Sequence, residues 1–422
     1  MTARIYYADL WGRRDGKYRT LVDTDIAKTG WIELKPVSPF YLFVPRDEAQ
    51  LDEYEKGWKV TDIFIFTGEG FTSHRDDFAV AFTLAEIEKR LYALAKDDDS
   101  DETIRETFNL KDTGTWKLSV ARKALKSDKD IGKAIQTCLY RPFDKRFCLL
   151  HTSIMDRPRM QTQSQMMKPN LALSTIRNVE IAGGFTHVLC VAQVIDRHAV
   201  SLKEINYLLP LYLYPVEGEM QLEEGHRRPN LNPDFIKAFS DKLGLKFISD
   251  GKGDLISTFG PEDIFNYAYA VFHSPTYRSR YAEFLKIDFP RLPLTSDKEL
   301  FRSLAEKGAK LVSLHLMESP LLNNLITRYP VAGSNSVDKV TYDDKNQRVY
   351  INKTQYFEGV PPEVWNFHIG GYQVAQKWLK DRKDRTLTYD ELTLYQKIVV
   401  ALKETIRLMT EIDKLIPEWP VG

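Results

Sequence analysis

The sequence predicts an α+β protein with a β-rich N-terminal half, about residues 1–225, and a mostly helical C-terminal half, residues 226–422. Short apolar runs bounded by Gly and Pro are typical of strands and dominate the first half. Beyond residue 226, longer segments with helical spacing follow recognisable start signals. A polar stretch rich in Gly, Pro and Asn, residues 217–233, separates the halves and is the best candidate for a domain boundary.

In the first half, strands and turns are expected to alternate with a few helices. Strands are predicted over residues 5–11, 31–34, 40–44, 60–66, 147–151, 171–176, 187–195 and 211–216. Turns are predicted over 12–16 and 68–70, helices over 84–95 and 116–137, and an acidic loop over 97–102. The helices are assigned because apolar residues recur there at intervals of three and four.

The second half is expected to open with a helix over residues 233–243. Asn232 suits the N-cap position and Pro233 suits the first helical position. Further helices are predicted over 261–272, 276–285, 297–316, 372–381 and 390–416, and a hairpin over 337–357. The last helix is long and amphipathic.

Composition indicates a folded protein without a uniformly basic surface. Hydrophobic residues make up 43% and aromatic residues 12% of the 422, which can supply a sizeable core. Lys plus Arg equals Asp plus Glu, 59 of each, so the formal net charge is zero. A nucleic-acid-binding surface would therefore require basic residues to be concentrated on one face.

The cysteines and the N-terminus indicate the cellular compartment. Cys138, Cys148 and Cys190 form no C-x-x-C pair, and the eight histidines form no H-x-x-x-H. This argues against a structural zinc site or a disulfide framework and predicts a reducing, cytoplasmic protein without a bound metal. The N-terminus lacks the features of a signal peptide. The longest apolar runs are about half the length that a membrane span requires.

Two patterns resemble catalytic or cofactor sites but lack the expected context. Residues 66–70, Phe-Thr-Gly-Glu-Gly, match the F-x-G-x-G loop that binds S-adenosylmethionine, yet no N-P-P-[YF] or D-P-P-Y motif accompanies them. Asp234, Asp250 and Lys252 match the PD…(D/E)xK sequence motif of a class of nucleases. In such a site the carboxylates must converge on Mg²⁺ from adjacent strands. Here the first would open a helix and the others lie in a turn, so no catalytic residue is assigned.

Charge is distributed unevenly over residues 141–179, which hold seven basic and two acidic residues. Between residues 157 and 179 there is no acidic residue. Arg neutralises phosphates, and Arg, Gln and Asn can read guanine and adenine edges through paired hydrogen bonds. The alternative is an ordinary solvated strand–loop face. The residues expected to contact bases are Arg157, Arg159, Gln161, Gln163, Asn170 and Arg177.

A second basic cluster lies over residues 376–386, with five basic and two acidic residues after Gly370 and Gly371. Two glycines before a helix can expose backbone N–H groups at its positive end, which suits a phosphate. The pair could equally allow close packing of a turn. The residues expected to contact the DNA backbone are Arg75, Arg141, Gly371, Tyr372, Lys377 and Lys383.

Four segments resemble the C-terminal region of Type ISP restriction–modification enzymes, and the same region of Type IIG enzymes is similar. The segments are GEGFTSHRDDF, TCLYRPFDKRFCLLH followed by DRPRM, PEDIFNYAYAVFHSPTYRSRYAEFLKIDFPRLPLTSD, and EVWNFHIGGYQVAQKWLKDRKDRTLTYDEL. They extend from about residue 60 to residue 416. The resemblance implies a target-recognition region for duplex DNA, in which the two halves form the walls of a DNA-binding groove.

Type ISP enzymes join nuclease, helicase-like ATPase and methyltransferase domains to this region. For those domains the resemblance implies adenine N6-methylation with S-adenosylmethionine and cleavage with ATP and Mg²⁺; it implies no cofactor for this chain. It places a β segment over 1–60 at the tail of the methyltransferase domain, and the polar stretch divides the remainder into an α/β recognition subdomain over 61–225 and a mostly helical one over 226–422. Two alternatives stay open: a Mg-dependent nuclease using Asp234, Asp250 and Lys252, and a protein-interaction scaffold using the helix over 390–416.

Overall fold

The computed structural model describes residues 3–38, 40–95, 99–215 and 227–421. The chain divides into two compact units, Met1–Leu51 and Asp52–Gly422. Most of the polar stretch over 217–233, and part of the acidic loop over 97–102, lie outside the described residues. The division of the chain into three parts thus stays a prediction.

In the N-terminal unit, strand β1 (Ile5–Tyr7) pairs antiparallel with β2 (Ile32–Leu34), and helix α1 (Arg14–Asp23) connects them. The turn predicted over 12–16 is wrong, because the chain from Lys17 onward continues the helix with a backbone bond to Arg13 of 3.1 Å. The strand predicted over 40–44 is also wrong: these residues form turns and bends. None of the described residues of this unit is buried.

The second unit alternates short strands and helices before residue 215 and is mainly helical after residue 227. Its helices are α2 Leu51–Tyr54, α3 Val60–Ile63, α4 Asp76–Ala79, α5 Leu84–Ala95, α6 Asp101–Phe108, α7 Leu118–Ser127, α8 Met160–Met166, α9 Pro233–Leu243, α10 Pro261–His273, α11 Pro275–Arg280, α12 Ala282–Leu285, α13 Lys298–His315, α14 Pro362–Trp365, α15 Val374–Lys380 and α16 Tyr389–Leu415. Its strands are β3 Trp58–Lys59, β4 Gly68–Glu69, β5 Val80–Ala81, β6 Ile135–Arg141, β7 Asp144–Leu149, β8 Ala172–Ile176, β9 Leu189–Val191, β10 Val194–Ile195, β11 Asn206–Pro210, β12 Tyr212–Leu213, β13 Arg228–Pro229, β14 Lys246–Phe247, β15 Thr258–Phe259, β16 Arg291–Leu292, β17 Thr341–Asp343, β18 Arg348–Tyr350, β19 Tyr356–Glu358, β20 His368–Ile369 and β21 Tyr372–Gln373.

Two four-stranded sheets organise the first part of this unit. Their strand orders are β10-β6-β7-β5 and β4-β11-β8-β9. All pairs are antiparallel except β10 with β6. The predicted strand over 187–195 is two strands, β9 and β10, one in each sheet. Residues 189–195 therefore connect the two sheets.

Two sequence-based assignments in this part are wrong in physically simple ways. The apolar run 60–66 begins as helix α3, because Val60, Ile63 and Phe64 share one buried helical face, and short apolar runs do not distinguish strand from helix. The helix predicted over 116–137 ends at Ser127, since residues 135–141 pair with β7 as a central strand.

The helical part agrees with the predicted elements except in two places: residues 372–373 are strand β21 and not the start of a helix, and the helix predicted over 276–285 is two short helices, α11 and α12. The Asn232 side chain accepts a hydrogen bond of 2.9 Å from the backbone of Asp234, and Pro233 occupies the first position of α9, as expected. Helix α10 is buried almost throughout and packs against α13 and α16. The hairpin predicted over 337–357 is confirmed and extended by a third strand, β19. The α+β class is confirmed. In the described ranges, no helix is long and apolar enough to cross a membrane.

Candidate nucleic-acid interface

The acid-free stretch 157–179 is more structured than its composition suggests. It begins as a loop, continues as helix α8 and includes strand β8. The loop is held by two backbone hydrogen bonds of 2.9 Å, in which Arg157 and Thr72 each donate to the other's carbonyl. Arg159 then has a φ of 52°, a left-handed conformation that a side chain disfavours. The loop that presents the arginines is therefore fixed in position.

Three of the six predicted base-contacting residues are grouped at this loop and exposed. They are Arg157, Arg159 and Gln161. The Arg157 and Arg159 side chains are 51% and 39% exposed. Arg159 Nη2 lies 2.6 Å from a carboxylate oxygen of Glu69. Arg157 Nε lies 3.6 Å from Asp156, so the exposed part of the stretch carries one amide and two guanidinium groups that each have a carboxylate neighbour.

Gln163 and Asn170 lie elsewhere in the fold and are engaged at both ends of their amides. Gln163 is fully buried; its Nε2 donates to the Glu69 carbonyl and its Oε1 accepts from the backbone of Ile195, both at 3.0 Å. Asn170 donates to the carbonyl of Tyr212 at 2.8 Å and accepts from its N–H at 3.1 Å. These two amides hold β10, β4 and β12 in place, so the geometry argues against the base contacts predicted for them.

Arg177 follows the last residue of β8 and is exposed, with its Nε 3.3 Å from Asp288. The strand register places Thr175 of β8 and Glu69 of β4 opposite the same residue of β11, Tyr207. Adjacent strands are about 4.8 Å apart, so the β8 and β4 backbones are separated there by roughly 10 Å. Strands β4 and β8 run in the same direction, because both pair antiparallel with β11. Arg177 therefore lies at the same end of the sheet as the C-terminal end of β4.

Three of the predicted phosphate-contacting residues are structural in this conformation. Arg141 is buried and its guanidinium lies 2.8 Å from Asp196. Tyr372 is buried and its hydroxyl donates to the carbonyl of His198 at 2.8 Å. Arg75 is half-buried, with its guanidinium 4.2 Å from the centre of the Trp116 ring and bonded to the carbonyl of Ser73. The expectation that these side chains face DNA is not supported by their burial.

The Gly370–Gly371 pair forms the turn between β20 and β21 and does not cap a helix. The Gly370 N–H donates to Thr186 Oγ1 at 3.0 Å, and the Gly371 N–H donates to the Val200 carbonyl at 2.9 Å. Gly370 has a φ of 55°, and a Cβ there would lie 2.0 Å from the Val200 oxygen. The pair therefore allows close packing, and the predicted phosphate-binding amides are wrong because both are bonded within the protein.

The basic cluster 376–386 is largely neutralised inside the fold. Arg382 is buried and pairs with Asp144 at 2.9 Å. Lys377 Nζ lies 2.5 Å from Asp381, and Arg385 contacts Glu86 at 3.8 Å. Lys383 is exposed, as predicted for a residue that contacts phosphate. The expected basic surface here is thus much smaller than the sequence count implies.

The residues of the two catalytic patterns are not arranged as a cofactor loop or a nuclease site requires. Residues 68–69 are strand β4, paired with β11, and not a cofactor-binding turn. Asp234 lies in the first turn of α9, and Asp250 pairs with Arg227 at 2.8 Å in an irregular segment. Among the described residues, no group of three or more His, Cys, Asp or Glu could hold a metal ion. The nuclease pattern is therefore two unrelated local features.

Two charged residues at the exposed loop were not identified from the sequence, Glu69 and Arg197. Glu69 lies between Arg159 and Arg197, whose Nε is 3.7 Å from its carboxylate. The only local signal was the Gly-Glu-Gly pattern, which was interpreted as a turn. The packing that brings these residues together involves chain segments about a hundred residues apart.

Comparison with known proteins defines the class first: the chain has the fold of a region within restriction–modification enzymes. LlaGI, a Type ISP enzyme, in a nuclease-deletion form with a DNA substrate mimic, matches with a TM-score of 0.67 and 20% identity over 97% of this chain and 33% of that chain. The Type ISP enzyme LlaBIII bound to DNA matches with a TM-score of 0.72 and 17% identity over 99% and 28%. The DrdV–DNA complex matches with a TM-score of 0.69 and 20% identity over 97% and 43%.

Residues 62–411 match the family model of the Type ISP C-terminal specificity domain. The chain therefore belongs to this family. It spans between 28% and 43% of the length of these structural neighbours. No match to a curated protein sequence was found.

Proposed function

We propose that this chain is the target-recognition region of a restriction–modification enzyme and binds duplex DNA in the cytoplasm. The observation that carries the proposal is the exposed group Arg157, Arg159 and Gln161 on a rigid loop, within a specificity-domain family. Its solved structural neighbours are DNA complexes, which supports the same partner. In the proposal this chain itself carries out no catalysis.

The predicted contact residues that are exposed, together with the partly exposed Lys377, divide into reading and positioning roles. Arg157, Arg159, Gln161 and Arg177 reach base edges, because Arg and Gln carry the paired donors and acceptors that distinguish guanine and adenine. Lys383 and Lys377 contact phosphates, the latter by exchanging Asp381 for DNA. Phosphate contacts are the same at every base pair, so they contribute affinity without sequence preference.

The parent activity belongs to other domains in this proposal. Adenine N6-methylation with S-adenosylmethionine and cleavage with ATP and Mg²⁺ would be carried out by methyltransferase, helicase-like and nuclease domains of the same polypeptide or complex. The scaffold alternative is weakened by the packing of α16. Its apolar residues Tyr395, Ile398, Val399 and Leu402 are buried within the unit, so this face is already occupied.

Arg159→Ala and Gln161→Ala are expected to reduce sequence preference, whereas Lys383→Ala is expected to weaken binding to all sequences alike. Each lost base contact should reduce the difference in binding free energy between target and non-target duplexes by about 1–3 kcal/mol, or roughly 5- to 150-fold in relative affinity. Losing one phosphate contact should reduce the salt slope by about one unit. The measurement is selection from duplexes with a randomised centre, followed by titration of enriched and scrambled duplexes over a range of salt.

Gln165→Ala is the matched control, since it removes the same side-chain type, four residues away, from a buried position where the amide bonds to the backbone of Tyr214. It should lower the melting temperature and leave the selected sequence unchanged. If Arg159→Ala and Gln161→Ala both kept the full preference while Lys383→Ala abolished it, the assigned roles would be reversed. If wild-type protein bound no duplex at low salt, the proposed function would be wrong.

The N-terminal unit is proposed to pack on the methyltransferase domain. Its described residues include none that is buried, and it exposes large apolar side chains that a unit of this size cannot leave in water. These exposed side chains are Tyr6, Leu10, Trp11, Tyr18, Leu21, Val22, Ile26, Trp31, Ile32, Val37, Phe40, Tyr41, Phe43 and Val44. The structural neighbours are two to four times longer than this chain and so contain further protein that could cover such a surface.

Trp11→Asp and Val22→Asp are expected to weaken binding of this chain to the separately expressed methyltransferase of its system by at least about tenfold, because each places a charge in an apolar contact. Binding to duplex DNA should not change, and Glu48→Lys, an exposed change in the same unit, is the control. Measurement is by sedimentation and calorimetry. If the wild-type chain self-associated through these residues, or if the variants bound the methyltransferase normally, the proposed contact would be wrong.

A further inference from the structure

The Gly68-Glu69-Gly70 pattern, which the proposed function does not use, has a definite packing role. A Cβ at Gly68 would lie 1.8 Å from Thr162 Oγ1 of α8, and a Cβ at Gly70 would lie 2.5 Å from the Arg197 nitrogen. Only glycine permits these approaches. The two glycines thus bring β4 directly against α8 and the chain at 196–197. Between them, Glu69 carries the one side chain of this pattern.

Glu69 is held in place by its own backbone. Its carbonyl accepts the hydrogen bond of 3.0 Å from Gln163 Nε2, and it pairs with Tyr207 in the sheet. Its carboxylate lies 2.6 Å from Arg159 Nη2 and 3.7 Å from Arg197 Nε, and it is 23% exposed. Arg197 Nε is buried and makes no direct hydrogen bond within the described part of the chain. The carboxylate is therefore fixed beside the exposed loop.

A carboxylate at this position should weaken DNA binding, because it repels every phosphate that approaches the loop. A compensating benefit is available from the geometry. A guanidinium reads guanine through two parallel hydrogen bonds, which require its plane to be oriented, and a free arginine side chain samples many rotamers. The left-handed φ of 52° fixes the Arg159 backbone, and Glu69 fixes its guanidinium.

We propose that Glu69 is a positioning residue that orients Arg159 towards a base edge and so exchanges general affinity for sequence preference. This rests on the proposed function, in which Arg159 contacts a base. Glu69 would remain bonded to one side of the guanidinium while the other side faces the duplex. Because Glu69 acts on sequence preference through Arg159, removing Glu69 should not change the sequence preference of a variant that already lacks Arg159.

The test uses Glu69→Gln, Arg159→Ala and the double variant of the full chain, with selection from duplexes of randomised centre and titration of enriched and scrambled duplexes over salt. Glu69→Gln should lose about tenfold of the preference at the base position that Arg159→Ala abolishes. Its affinity for scrambled duplex should rise, since one negative charge is removed. In sequence preference the double variant should match Arg159→Ala. Arg197→Ala, which removes the other neighbouring cation, is the control and should keep the selected sequence.

The outcomes separate this inference from the proposed function. If Arg159→Ala changed no base preference, the reading role in the proposed function would fail. If Arg159→Ala abolished a preference that Glu69→Gln retained, the positioning role alone would be wrong. A lower melting temperature with equal loss of affinity for all duplexes in Glu69→Gln would make Glu69 a structural residue and would overturn the inference. Losses of sequence preference that add in the double variant would also contradict it.

Discussion

Replacing Asp144 by alanine is expected to lower the free energy of unfolding by about 3–5 kcal/mol, the usual cost of removing one partner from a buried ion pair. Asp144 is 1% exposed and accepts hydrogen bonds from Arg146 at 2.7 Å and Arg382 at 2.9 Å. Without it, two guanidinium groups stay in the interior with less compensation. Arg382 also joins Glu391 of α16, so the loss would loosen the contact between β7 and the last helices.

Urea unfolding of the full chain measures the Asp144→Ala effect as a shift of the midpoint. Asp241→Ala is the matched control, because Asp241 also pairs with a cation, Lys237, but on the surface of α9. Exposed pairs contribute at most about 1 kcal/mol, so the control should unfold close to wild type. Equal midpoints for Asp144→Ala and wild type would show that this ion-pair network does not stabilise the fold.

Stability is expected to fall steeply as the pH is lowered from about 6.5. Burial lowers the pKa of His315 to about 3 and that of His187 to about 4, and it lowers the pKa of His273 well below its ordinary value. In the unfolded chain these histidines titrate near 6.5. Below about pH 6.5, the unfolded state therefore binds protons at these histidines that the native state does not bind. The stabilisation is complete above 6.5 and is lost progressively as the pH falls towards these native pKa values.

Burial sets the direction in which these pKa values shift, and the neighbouring groups add to the shift or oppose it. His315 accepts or donates hydrogen bonds with Tyr269 at 2.5 Å and Thr405 at 2.9 Å, and the cationic Arg278 further disfavours its charged form. His187 lies 3.9 Å from Glu204, which opposes its pKa shift but does not outweigh burial. Each histidine contributes up to about 1.4 kcal/mol per pH unit.

His315→Gln is expected to reduce the slope of unfolding free energy against pH between 6.5 and 5 by about one proton, or roughly 1.4 kcal/mol per pH unit. Although the substitution itself costs stability, the slope reports only proton uptake. His74→Gln is the control, because His74 is exposed. An unchanged slope in His315→Gln would mean that His315 takes up its proton equally in the folded and unfolded states, which would contradict the lowered pKa.

The sequence alone was sufficient to locate the long helices and to predict the α+β class. Helices α5, α9, α13 and α16 were found within one or two residues of their bounds. Their signals are local, since apolar spacing and N-cap residues act within one or two turns. The exposure of Arg157, Arg159 and Gln161 was also consistent with the polar sequence over residues 157–179, which contains no acidic residue.

Tertiary structure decided which of the remaining polar residues face solvent. Gln163 bonds to a residue 94 positions away, Asn170 to one 42 positions away, and Arg382 to one 238 positions away. Other contacts between distant parts of the chain bury Arg141 and Tyr372 and occupy the amides of Gly370 and Gly371. The sequence does not distinguish a buried Gln, Asn or Arg from an exposed one. Only the folded arrangement shows whether its hydrogen bonds are made within the protein or are available to DNA.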